Sequence, residues 1–332
     1  MTRPDFRTAV PVLTAVGVTA GAVALSFAVN LALPVVSALT AAVVLGVLAG
    51  STPVLPAASR PVIARFTKKM LRIGVVLLGL QLALPAVLDL GAGVIVAVIL
   101  VVAVTFLATV WLGRLLGLSR GLSLLVGTGF SICGASAVAA MEDVVERDDS
   151  DVATAVALVT LYGGLAIAAV PLIGGRLGQT PRETGAWSGL AVHEVAQVVA
   201  AATPAGAAAV TLAVVVKLSR VVLLAPMVAL VSVHERRRTA RTGDGSRPPL
   251  VPLFVLGFLA AAVVRSMDVL PTVALDVAKV ACTLLLAGAL FGLGCGVRLG
   301  SLVRTGGRAL LLGLLSTLVI GTTSFIALAV LG

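Results

Sequence analysis

Apolar runs about as long as a bilayer is thick follow one another from Ala9 to Leu331, separated only by short joints. A soluble chain has no interior for so many of them, so the membrane is the only solvent that suits this sequence. Charged residues make up 11% of the 332 positions, against roughly 25% in an ordinary soluble domain. With about 20 residues per span, the length allows about nine to eleven crossings and leaves little for a soluble domain. The expected fold class is therefore all-α: a polytopic membrane protein forming one transmembrane domain over residues 1–332.

The formal charge of +10 does not point to nucleic acid, because the cations fall between apolar runs and do not interleave with aromatic residues. They mark cytoplasmic joints instead, by the preference of Lys and Arg for that side. Arg60 to Arg72, Arg114 to Arg120, Arg236 to Arg247 and Arg298 to Arg308 all fall inside if the N-terminus is cytoplasmic. Arg60, Arg65, Lys68, Lys69 and Arg72 alternate with apolar residues and read as a short interfacial helix, followed by a span at about 73–90. The acidic stretch Glu142 to Asp151 reads as a solvated loop, and His234 to Pro249 as a flexible cytoplasmic one. Trp111 and Trp187 read as interface anchors. Cys133, Cys282 and Cys295 form no close pair, so neither a disulfide framework, a metal site nor a cofactor is expected.

Two stretches depart from the apolar pattern. Leu125 to Met141 reads LVGTGFSICGASAVAAM, with Gly127, Gly129 and Gly134 inside eight positions. Each glycine costs about 1 kcal/mol relative to alanine in a helix interior, so a broken helix is the simpler reading than a tight packing face. Unwound backbone at membrane depth survives only where protein or a polar cavity satisfies it, and transporters place substrates there. The second stretch, Glu183 to Gly206, carries His193, Glu194 and Gln197. Setting Ala135–Ala140 over Val195–Ala200 and skipping the acidic insert brings Pro171 over Pro226, which fits two repeats, about 31–174 and 183–332. Two crossings or two re-entrant hairpins fit the basic joints equally well; only hairpins would make the repeats inverted.

Lys217 and Arg220 lie three residues apart in VVVKLSRVVLLAP and share a helix face. A charge at mid-membrane costs at least about 2.5 kcal/mol, so both need partners: a bound anion, Glu194 or backbone carbonyls. Glu194, with His193 beside it and Gln197 one turn from His193, either takes up and releases a proton or neutralises one of the cations. HEVAQ lacks the second histidine of the HExxH zinc helix, which argues against a metalloprotease. GFSICG lacks the spacing of a serine elbow. Its Thr128, Ser131, Cys133, Gly134 and Ser136 suit an anion site of hydroxyls and freed N–H groups, helped by a half-helix starting near Gly134.

GFSICGASAVAA, AVHEVAQVVAA, VVKLSRVVLLAP and PLFVLGFLAAAVVRS, in this order, resemble the YeiH-type family of bacterial membrane proteins, to which sulfate export is ascribed. The resemblance spans nearly the whole chain from about Leu31. It implies a fold like that of the cation/proton antiporters and anion transporters, with inverted repeats and crossed discontinuous helices, in the bacterial inner membrane. It also implies secondary transport of a small anion, a sulfur oxyanion or sulfonate, with a proton or sodium as coupling ion; a homodimer is compatible with it. Substrate contacts are expected from Thr128, Ser131, Cys133, Gly134, Ser136, Lys217 and Arg220, and coupling from His193, Glu194 and Gln197. A cation/proton antiporter using Glu194, and an intramembrane enzyme using Ser131 or Cys133 with His193, are the rival expectations.

Overall fold

The computed structural model describes residues 6–33, 36, 38–52, 55–242, 253–296 and 299–331, with side chains described for all but 6–10, 57, 149, 239–242 and 299–306. Among the described residues every regular element is helical. The chain opens with α1 (Phe6–Ala32), α2 (Ala38–Ser51) and α3 (Arg60–Gly79), then a short α4 (Leu84–Leu88) and the long α5 (Ala92–Leu115). The first special stretch is α6 (Arg120–Ser131) and α7 (Ala135–Glu142), followed by α8 (Asp149–Arg176). The second is α9 (Pro181–Ala191) and α10 (Val195–Ala202), leading to α11 (Ala207–Val222) and α12 (Leu224–Thr242). Three helices close the chain: α13 (Leu253–Ser266), α14 (Thr272–Gly296) and α15 (Leu299–Leu331).

Among the described residues six stretches are long and apolar enough to span a bilayer: Pro11–Ala32, Ala92–Leu115, Ser150–Arg176, Ala207–Arg238, Thr272–Gly296 and Gly307–Leu331. Their outward faces carry bare aliphatic side chains such as Leu13, Ile99, Leu107, Leu165, Val277 and Leu318, as lipid contact requires. The fourth bends at Leu223. Pro226 has no N–H for the Val222 carbonyl, and the chain restarts as α12.

The region read as an interfacial helix and a separate span is one helix, α3, because its buried stripe is continuous. Ile63, Thr67, Leu71, Val75 and Leu78 recur at helical spacing straight through the basic half and pack on α13 and α14. The cations sit on the other face. The basic loop expected at 234–249 begins as the last turns of α12, and residues 243–249 lie outside the described residues.

Two helix groups emerge. In one, α1, α2, α3, α13 and α14 pack together; in the other, α5 to α11 and α15 do. Within the first, α2 and α14 touch backbone to backbone: a Cβ on Gly46 would lie 2.1 Å from the Phe291 carbonyl oxygen. Between the groups, Lys68 pairs with Glu142 at 2.8 Å and Arg72 with Asp143 at 2.6 Å. The acidic stretch is thus no free loop. Glu142 is buried and also receives Arg147 at 3.4 Å, while the Ser119 hydroxyl donates to Asp151 at 2.8 Å.

Both special stretches fold back as hairpins, where the resemblance implied crossed helices. Gly121, at the start of α6, lies against Glu146 and Arg147, just beyond the end of α7; a Cβ there would be 2.8 Å from the Glu146 carbonyl oxygen. The second arm therefore returns to the face the first came from. In the other hairpin Gly185 lies against Ala209, and Gly189 against Ala213, so α9 and α11 run side by side in one direction. Since α10 joins α11 through only Thr203 to Gly206, it must run back toward the start of α9.

The long α8 orders the two hairpins in depth. Near its start Asp151 meets Ser119 at the base of the first; further on Val159 packs by Gly129, and the Thr160 carbonyl meets Gln197 near the second tip. Near its end Gly174 reaches Thr184 at the base of the second hairpin. The hairpins enter from opposite faces and meet at the middle.

Candidate functional site

Each hairpin tip is a three-residue break between helical arms, Ile132–Gly134 in the first and Val192–Glu194 in the second. A helix that stops inside a membrane leaves its last carbonyls without donors. Lys217 and Arg220, on α11 and fully buried, supply them. Lys217 Nζ donates to the Ile132 carbonyl and, at 2.9 Å, to that of Val192, one from each tip. Arg220 donates from Nε and Nη2 to Ser131 (3.1 and 2.8 Å), from Nη2 to Phe130 (2.9 Å), and from Nη1 to Gly189, Leu190 and Val192 (3.1, 2.6 and 3.1 Å). One guanidinium thereby closes the C-terminal ends of α6 and α9 together. Two such ends carry about −0.5 each, which these two side chains offset.

The other predicted site residues divide by where they point. Thr128 and Ser131 turn back onto their own helix, donating to the Leu124 carbonyl at 2.8 Å and the Thr128 carbonyl at 3.3 Å. Cys133 Sγ and Ser136 Oγ share a hydrogen at 2.9 Å, and Ser136 Oγ also lies 3.2 Å from the Cys133 carbonyl. Gly134 has φ +74°, which disfavours a side chain, and a Cβ there would sit 2.7 Å from Glu194 Cγ. His193 is buried with its ring 4.3 Å from that of Phe130, and neither of its nitrogens makes a hydrogen bond of full geometry. Gln197 accepts from the Glu194 N–H at 3.2 Å and reaches the Thr160 carbonyl at 3.5 Å.

Cys133, Ala135, Ser136, Glu194 and Val195 line a cavity between the helix groups, with about 50 Å³ open to the centres of water molecules. Its far wall is Leu39 of α2, Leu71 and Leu78 of α3, and Leu286 and Leu290 of α14. No polar letter marks these leucines, and sequence reasoning missed them. It also missed Gly163, whose lack of a side chain makes room for Gln197. A larger cleft of about 520 Å³ along α8, α9 and α15, lined by residues such as Leu165, Trp187 and Phe325, offers an ion almost no polar atom. Trp187 is no interface anchor: it is buried and its Nε1 donates to Gly321 and Ser324. Among the described residues no three His, Cys, Asp or Glu side chains are placed to hold a metal.

At the base of the second hairpin, the Thr180 N–H and hydroxyl donate to Glu183 at 2.7 Å each and hold its carboxyl below the usual range. That box starts α9 where the chain re-enters the protein.

Fold and site together define an all-α polytopic membrane protein with two re-entrant hairpins meeting at a buried pair of cations. The chain belongs to the family described as "Conserved hypothetical protein 698", which matches residues 11–313, and this is the family that the motifs resemble. It is 43% identical over 296 residues to a UPF0324 membrane protein of Corynebacterium glutamicum, covering 89% of this chain and 86% of that one. It is 39% identical over 291 residues to a UPF0324 membrane protein of Pseudomonas aeruginosa (84% and 82% covered). A third relative, from Bacillus cereus, is 32% identical over 267 residues (80% and 78% covered). No solved structure matches the chain.

Proposed function

We propose that this protein is a secondary transporter of a small anion in the bacterial inner membrane, with the face bearing Arg60 to Arg72 and Arg120 in the cytoplasm. The observation that carries the reading is the meeting of two hairpin tips, from opposite faces, around Lys217 and Arg220 and beside a cavity lined by Cys133, Ser136 and Glu194. Opposed half-helices at mid-depth suit alternating access, since either group of helices can rock against the other around a fixed site. The arrangement also supports inverted repeats at about 31–174 and 183–332. Charge supports an anion: the Lys217 and Arg220 side chains, together with the amide ends of α7 and α10, favour negative charge at the tips.

In this reading Gly134, Cys133 and Ser136 offer donors at the cavity, and Lys217 and Arg220 act through the field behind the tips. Thr128 and Ser131 hold the first arm. Glu194, with His193 and Gln197 beside it, is the proton-coupling group. Sulfate, a related sulfur oxyanion or a sulfonate, carried outward, is the substrate that the family resemblance favours.

One observation favours a second reading. Among the described residues Glu194 is the one carboxylic acid lining the cavity, while the donors of both cations face carbonyls. That suits a proton or sodium antiporter with Glu194 as the cation site. The enzyme reading has weaker support, because the Ser131 hydroxyl goes to a helix carbonyl and no hydrogen bond joins His193 to Ser131 or Cys133.

Flux into proteoliposomes separates the readings. Labelled sulfate, sulfite and ethanesulfonate, with and without a pH gradient, should accumulate faster than in empty vesicles. Absence of any anion flux, together with sodium-dependent proton movement, would overturn the anion reading in favour of the antiporter.

A further inference from the structure

We propose that the Glu194 carboxylate is a tethered stand-in for the transported anion, holding the place between the first turns of α7 and α10, so that a compact oxyanion enters only as Glu194 takes up a proton and leaves. This rests on the anion reading above and adds the ligand's shape and the origin of coupling.

Three observations carry it. Glu194 is the N-cap of α10, and its side chain lies against Gly134, the N-cap of α7, so one carboxylate serves the amide ends of both second arms. It is 5% exposed and faces the cavity, and what holds it is helix-end backbone, the Ala135 N–H of α7 and, in a capping box, the Gln197 N–H of α10, neither at full hydrogen-bond geometry. A carboxylate buried on loosely placed amides, with no ion pair among the described residues, is a costly brace, at several kcal/mol, and its partners are those a free anion would use. The third observation is what surrounds it. Lys217 and Arg220 of α11 stand behind, spent on carbonyls; Cys133 and Ser136 lie at the first tip; His193 is its chain neighbour; and α8 presents Thr160 beyond Gln197. From α2, α3 and α14 only leucines reach the cavity. The positive potential at the tips thus meets one negative side chain, and that chain stands where a free anion would bind.

The ligand's chemistry follows. A carboxylate bridging two helix ends with two oxygens is imitated by a carboxylate, a sulfonate or a sulfate-like group, each presenting two or more oxygens on one compact anionic centre. A halide offers one atom where these groups offer two or more oxygens, so it imitates the carboxylate less well. Because the incoming anion replaces a charge that must be neutralised, binding takes up one proton from solution, and by linkage affinity rises as pH falls.

The test uses the full-length protein purified in detergent, with sodium sulfate and sodium ethanesulfonate as probes and sodium chloride as the control, read by thermal shift and titration calorimetry. Wild type should bind the oxyanions more weakly as pH rises, by up to about tenfold per pH unit, and should take up close to one proton per anion in weakly buffered solution. Glu194→Gln should bind more tightly with a flat pH profile. Proton uptake needs no variant, so the proposal stays testable if Glu194→Gln fails to fold. Oxyanion binding without proton uptake and with a flat wild-type profile would overturn the stand-in while leaving anion transport intact. Binding of sodium alone, lost in Glu194→Gln, would overturn both.

Discussion

Arg220 delivers its donors to the carbonyls of Phe130, Ser131, Gly189, Leu190 and Val192, so its first task is to make two interrupted helices tolerable inside a membrane. Each carbonyl left buried and unpaired costs about 1–3 kcal/mol, and breaking a buried charged network from one side about 3–5 kcal/mol. Arg220→Ala should therefore lose at least about 3 kcal/mol of folded-state stability, seen as a large fall in melting temperature in detergent. Arg220→Lys should fall between, because an ammonium keeps the charge but not the planar fork that reaches both hairpins. A melting temperature for Arg220→Ala equal to wild type would end the capping role. At this scale the sequence was legible in part. Lys217 and Arg220 stand out because cations in an apolar span need partners, and carbonyls were among those named. The choice between carbonyls and a ligand was not legible, since every residue has a carbonyl and no letter says which ones a fold leaves open.

The hairpin depends on Gly134 for two reasons that act together: φ of +74°, and a Glu194 side chain packed where a Cβ would be. Gly134→Ala has to strain the backbone and push Glu194 aside, at about 1–3 kcal/mol. Its melting temperature should drop, and the pH dependence of anion binding should change with it, because the displaced carboxylate no longer bridges α7 and α10. A variant with both unchanged would show that the tip is not built as described. The breaks were legible in the letters, from the glycines around Cys133 and from the match of Ala135–Ala140 to Val195–Ala200, which aligns α7 with α10 residue for residue. The return of the second arms was not. Arm, break and arm together are as long as a span, and the turn is fixed only by distant neighbours, Gly121 with Glu146 and Gly185 with Ala209.

Transport asks the two helix groups to move past one another, and their contact is suited to that. At the cavity the first group offers smooth leucines, Leu39, Leu71, Leu78, Leu286 and Leu290, to the tips. At the basic face the groups are tied by Lys68 to Glu142 and Arg72 to Asp143, pairs whose cations are about half exposed, at 50% and 48% of the side chain. With Asp143 22% exposed as well, the Arg72 pair is worth about 0–1 kcal/mol, enough to bias an equilibrium and too little to lock it, while the buried Glu142 is shared between Lys68 and Arg147. None of this grouping could be read from sequence. The alternation of basic joints gave the faces, but which spans pack together depends on close approaches such as Gly46 on Phe291, which look like any glycine in an apolar run. The closed basic face can be probed through Cys133, which lines the cavity beneath the pairs. In a Cys295→Ser background, with Cys282 buried, a membrane-impermeant maleimide should label Cys133 slowly. Arg72→Asp sets two carboxylates against each other and should raise the labelling rate from the basic face about two- to fivefold, the factor that about 0.5–1 kcal/mol of pairing represents. Adding Asp143→Arg restores an opposite pair and should return the rate to that of the parent. If Arg72→Asp labels no faster than the parent, the ion pairs do not hold this face shut, and the leucine contact alone must set how often the cavity opens.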